Sequence, residues 1–156
     1  VEANRVAGRR IATAESCTGG LVAAALTEIP GASDVVDRAF VTYSNEAKTE
    51  MLGVSDDILT TLGAVSEATA WAMAQGALSK SHADVAVAIS GIAGPGGGTE
   101  KKPVGTVVFA RAIKGGDPAD IVADKREFGD IGRGGVRHQA AICALELLLP
   151  DDEARG

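Results

Sequence analysis

The run Asp84-Val85-Ala86-Val87-Ala88-Ile89-Ser90 constrains this chain more than any other stretch. Only its two ends are polar, as suits a strand covered on both faces; a strand with one face in water alternates apolar and polar residues. Such a strand needs helices on either side, and the flanking sequence supplies them. Arg10 to Ala14 is short, apolar and β-capable. It runs into Glu15-Ser16-Cys17-Thr18-Gly19-Gly20 and then into the apolar stretch Leu21 to Ile29, closed by Pro30-Gly31. The order is strand, tight turn, helix, stop. Phe40 to Ser44 is a second strand, followed by Asn45 as N-cap of a helix over Glu46 to Leu52, with Gly53 as its stop. Ser66 caps a long Ala-rich helix from Glu67 to about Ser81. Beyond the central strand, Gly91 to Pro103 holds too much Gly and Pro for regular structure. Val104 to Arg111 and Asp120 to Phe128 are strands joined by a turn at Lys114 to Pro118, an antiparallel hairpin. A second glycine-rich loop, Gly129 to Gly135, leads to a last helix, Val136 to Leu149. This alternation predicts a three-layer α/β/α sandwich with a mostly parallel mixed sheet, a single domain over residues 1–156.

Composition removes several classes of function. The net charge of −6 argues against nonspecific nucleic-acid binding, which depends on many Lys and Arg contacts to phosphate. One Trp, one Tyr and three Phe cannot furnish a base-stacking platform. No apolar run reaches the length of a membrane span and the start is no signal peptide, so the expected location is the cytoplasm. The two cysteines, Cys17 and Cys143, and two histidines, His82 and His138, show no metal-ligand spacing. No metal and no cofactor are expected; with two histidines a Ser-His-Asp triad has few candidates, and another base is expected for any hydrolytic reaction.

Four stretches could carry chemistry. Ser16 follows a strand and precedes a helix, where open α/β sheets bind ligands, and amides at Gly19 and Gly20 could receive an anion or a developing oxyanion. The same residues also suit plain helix capping by Ser16 or Thr18, and Cys17 is a rival nucleophile whose alternation with Ser16 turns it toward the interior. Tyr43 and Lys48 straddle another strand-to-helix junction. Lys48 is a base only if burial or a neighbouring cation lowers its pKa, and otherwise a solvated surface lysine. Ser44, four residues before Lys48, is a further possible nucleophile. The loop Ser90-Gly91-Ile92-Ala93-Gly94-Pro95-Gly96-Gly97-Gly98 lets backbone approach a ligand closely, although it is neither a P-loop nor a Rossmann fingerprint. Arg126, Arg133, Arg137 and His138 form a cationic set in an acidic chain, where Arg133 or Arg137 could grip a phosphate.

Thr13-Ala14-Glu15-Ser16-Cys17-Thr18-Gly19-Gly20, Val41-Thr42-Tyr43-Ser44-Asn45-Glu46-Ala47-Lys48, Gly63-Ala64-Val65-Ser66, Ser90-Gly91-Ile92-Ala93-Gly94-Pro95 and Lys102-Pro103-Val104-Gly105-Thr106-Val107 occur in that order. Together they resemble the C-terminal domain family of the competence/damage-inducible protein CinA, whose enzymatic members are nicotinamide-nucleotide amidases. The resemblance covers nearly the whole chain, as a stand-alone copy of that domain. One departure is visible. The family's Gly-Asp-Arg before its last helix is here Gly129-Asp130-Ile131-Gly132-Arg133, while Arg137 matches the arginine at the helix start. The resemblance implies hydrolysis of the carboxamide of nicotinamide mononucleotide, with Ser16 as nucleophile, Lys48 as base and Tyr43 assisting. It implies a substrate site at Thr18, Gly19, Gly20, Ser90, Gly91, Gly94 and Arg137, a nucleotide as the small-molecule partner, and a homodimer. The alternative is a CinA-type domain that binds a nucleotide or a protein without catalysis.

Overall fold

Large and small residues alternate along the inner strands, and this alternation separates the two faces of the sheet. A computed structural model describes residues 1–117 and 122–151. The strands are β1 (Ile11–Glu15), β2 (Val36–Val41), β3 (Val85–Gly91), β4 (Thr106–Ile113) and β5 (Val122–Glu127), in spatial order β2-β1-β3-β4-β5. The pairs β1–β2 and β1–β3 are parallel, and β4 runs antiparallel to both β3 and β5. The sheet is therefore mixed, with four strands pointing one way and β4 reversed. The helices are α1 (Glu2–Ala7), α2 (Leu21–Thr27), α3 (Asn45–Leu52), α4 (Asp56–Leu62), α5 (Glu67–Ser79) and α6 (Arg133–Leu147). The short helices α1 and α4 lie outside the elements read from the sequence. The second strand begins earlier than expected and stops at Val41, because residues 42 to 44 turn away to start α3. The hairpin β4–β5 is present as expected. Pro118 of its turn and Asp120 of its second strand lie outside the described residues.

Ile11, Val85, Val87, Ile89, Val107 and Phe109 face α2 and α6. Ala12, Ala14, Ala86, Ala88, Ala110 and Ala112 face α5, which answers with Ala70, Met73, Ala74 and Ala77. Small side chains on both partners bring α5 close to the sheet. The approach is closest at Gly76, where a Cβ would stand 2.0 Å from the carbonyl oxygen of Leu52 in α3. Gly76→Ala gains helix propensity, yet the two helices must separate to admit the methyl. We expect a net loss of about 1–3 kcal/mol, read as a lower urea midpoint at unchanged slope. No helix among the described residues is long and apolar enough to cross a membrane.

Candidate active site

The chain leaves β1 to one side through α2 and β2 and returns to the other side through α5 and β3. The carboxyl ends of β1 and β3 therefore flank the switch point where α/β sheets place ligands. Ser16 follows β1 there, with its amide held by the carbonyl of Ile89 at 2.9 Å. A cavity of about 280 Å³ opens above it, lined among others by Ser16, Cys17, Tyr43, Lys48, Ser90, Gly91, Gly94 and Arg133. Gly91 carries no side chain because a Cβ would meet Val107 at 2.8 Å.

Lys48 reaches this place from the opposite layer. Ser44 ends the extended segment and caps α3, its hydroxyl accepting from the amide of Ala47 at 3.0 Å. Ser44 thus takes the capping position expected of Asn45, and its oxygen faces the helix rather than the cavity. Lys48 is 1% exposed, the largest fully buried side chain among the described residues. Its Nζ lies 2.9 Å from Ser16 Oγ, 2.9 Å from the carbonyl oxygen of Thr42 and 3.1 Å from that of Tyr43. Among the described residues no carboxylate forms an ion pair with it. Burial without a counter-charge lowers the Lys48 pKa below the ordinary lysine value. The neutral amine has two N–H donors and one lone pair. As the ammonium, Nζ donates to Ser16 Oγ and to both carbonyls; once neutral, it can keep its two donors on the carbonyls and turn its lone pair to the Ser16 hydroxyl.

Cys17 is buried in the cluster shared by β1, β3 and α6, and burial pushes its thiol up to about 11. It stays protonated at neutral pH and is a poor nucleophile. If Ser16 rather than Cys17 is the nucleophile, Cys17→Ala should keep most of the wild-type rate, and the wild-type chain should resist iodoacetamide; kinetics before and after alkylation check both.

Several expected site residues have other duties. Thr18 is fully buried and donates to Glu15 Oε1 at 2.7 Å. Gly19 and Gly20 adopt positive φ in the turn, outside the cavity lining, and the Gly19 amide donates to Ser16 O at 3.0 Å. The start of α2 cannot serve an oxyanion, because the Glu15 carboxylate already accepts from the amides of Val22 and Ala23 at 2.9 and 3.1 Å. Arg137 donates to the carbonyls of Cys17 and Thr18 and does not line the cavity. Arg133 lines it instead, with Nη1 2.8 Å from Gly94 O and Nη2 3.1 Å from the Tyr43 hydroxyl. Tyr43 meets Ser16 and Lys48 through its backbone carbonyl, while its ring is exposed and its hydroxyl is held by Arg133. Ser90 and Gly91, at the end of β3, and Gly94 in the loop after it line the cavity.

Sequence reasoning overlooked Glu15 as a cap. Caps are sought at the residue before the helix, which here is Gly20, with no side chain to offer. Among the described residues no three His, Cys, Asp or Glu side chains converge as metal ligands do.

Comparison with known proteins identifies the family and the fold. The profile of the CinA C-terminal domain matches residues 1–151. The chain belongs to the CinA C-terminal domain family. A CinA-like protein of Mycobacterium avium is 55% identical over 148 residues, covering 94% of this chain and 34% of that protein. One of Syntrophobacter fumaroxidans is 50% identical over 151 residues, covering 95% and 34%. The chain therefore spans about a third of the length of the curated relatives it matches. The crystal structure of a competence/damage inducible protein from Agrobacterium tumefaciens superposes with a TM-score of 0.88 at 52% identity, covering 94% of this chain and 90% of that one. A CinA superfamily protein from Escherichia coli gives 0.86 at 38% identity, covering 95% and 84%. The mixed five-stranded α/β sandwich is thus the fold of CinA-superfamily structures.

Proposed function

We propose that this CinA domain is a nicotinamide-nucleotide amidase that converts nicotinamide mononucleotide and water to nicotinate mononucleotide and ammonia. The observation that carries the reading is Lys48 Nζ, buried without a carboxylate partner, 2.9 Å from Ser16 Oγ. Burying a lysine is costly, and one held between two carbonyls and a serine hydroxyl suits proton transfer better than packing.

Neutral Lys48 takes the Ser16 proton as Oγ bonds to the carboxamide carbon. The tetrahedral intermediate collapses, the C–N bond breaks, and the Lys48 ammonium returns its proton to the departing nitrogen, which leaves as ammonia. Water then attacks the acyl-Ser16 ester. Lys48 accepts a proton from that water and gives it back to Ser16 as the carboxylic acid departs. The phosphate needs a cation at the cavity, and Arg133 supplies it at the expense of its contacts to Gly94 and Tyr43. That Arg133 lines the cavity supports giving it this role in place of Arg137.

The test is ammonia release from nicotinamide mononucleotide by the purified chain, with Ser16→Ala in parallel. Release that depends on Ser16 supports the amidase. Thermal stabilisation by the nucleotide without ammonia from a folded wild type rejects it and leaves a binding domain.

A further inference from the structure

Arg137 spends its guanidinium on backbone. Nε donates to the carbonyl of Cys17 at 3.0 Å and Nη2 to that of Thr18 at 3.3 Å, across 120 and 119 positions of sequence. Among the described residues no carboxylate pairs with it. The turn is shaped to receive it: Gly19 has φ +60°, and a Cβ there would stand 3.3 Å from Nη2.

The consequence travels through peptide planes. The N–H of a trans peptide points opposite to its C=O. Holding the Thr18 carbonyl therefore aims the Gly19 N–H, which donates to the Ser16 carbonyl at 3.0 Å. Holding the Ser16 carbonyl in turn aims the N–H of Cys17, whose residue lines the cavity. In acyl transfer the amide following the nucleophile is well placed to receive the oxyanion. From this geometry we infer that Arg137 is a positioning residue, which sets the turn after Ser16 so that the Cys17 amide stabilises the oxyanion. The inference rests on Ser16 being the nucleophile of the proposed amidase, and it separates the two arginines: Arg133 holds substrate, Arg137 holds the turn.

The experiment compares wild type, Arg137→Gln, Arg137→Lys and Arg133→Gln of the full chain, each verified as folded by circular dichroism. Two reactions are followed. One is ammonia release from nicotinamide mononucleotide, with kcat and KM separated. The other is acylation of Ser16 by p-nitrophenyl acetate, in which Oγ bonds to the acetyl carbon, p-nitrophenolate leaves and Lys48 takes the serine proton. Arg137→Gln should slow both acylation and kcat by about 10²-fold, the usual loss for one oxyanion donor, at unchanged KM. Arg137→Lys, which keeps a donor for one carbonyl, should recover part of the loss, whereas Arg133→Gln should raise KM. If Arg137→Gln folds but cannot be kept soluble, Arg137→Lys must still show the kcat loss at unchanged KM. A rise in KM with acylation at the wild-type rate overturns the inference, as does a wild type that the ester does not acylate at Ser16. A wild type acylated by the ester but inert toward the nucleotide refutes the amidase reading, and the acylation rates still decide the role of Arg137.

Discussion

Ammonia release should fall by about 10⁴-fold or more in Ser16→Ala and in Lys48→Met, because members of a nucleophile–base unit act together. The double variant should be no slower than either single one. Lys48→Arg should be equally inactive, since a guanidinium does not give up its proton at any usable pH. In the proposed mechanism only the neutral amine accepts the Ser16 proton, and burial lowers the pKa of Lys48. The rate of wild type should therefore rise with pH through that lowered value and then level off, and kcat/KM against pH measures it. The same shift enters stability with a definite sign. Between the lowered value and the ordinary lysine value, the unfolded chain binds more protons than the folded one, so folding strengthens as pH rises. Across that window the urea midpoint of wild type should climb relative to that of Lys48→Met. A flat difference would mean that Lys48 titrates in the fold as it does in water.

The second large effect concerns Glu15, which is fully buried and accepts from Thr18 Oγ1 and from the amides of Val22 and Ala23. Glu15→Ala leaves two helix amides and a hydroxyl without partners and removes the negative charge from the helix start. We expect a loss of about 3–5 kcal/mol. At about 2–4 °C per kcal/mol for a domain of this size, a melting scan should show it clearly. Glu15→Gln should lie between, since one amide oxygen still accepts while its NH₂ faces donors. A variant melting with the wild type would show that the start of α2 is stable without this carboxylate.

Much of this was legible in the sequence because it follows from local rules. The all-apolar 85–89 run, the stop at Pro30-Gly31 and the caps at Ser66 and Gly53 name their elements directly. Ser16 and Lys48 were visible as types at strand-to-helix junctions. What brings them together is not local. Lys48 looks like a solvated lysine until α3 is packed against α5, with Leu52, four residues later, directly beneath Gly76. The cap at Glu15 was hidden because it serves a helix that begins six residues later. The roles of Arg133 and Arg137 differ only through the first turn of α6: one side chain faces the cavity and the other the Ser16 turn. Four residues of spacing could not say which.

The proposed nucleophile and its proton acceptor belong to different layers, Ser16 at the end of β1 in the sheet and Lys48 on α3, which packs against α5. The sheet acts as a hinge-free jig between them, and their 2.9 Å separation is only as constant as the seam between α3 and α5. A lesion in that seam, far from any substrate, would detune the reaction before it unfolds the protein.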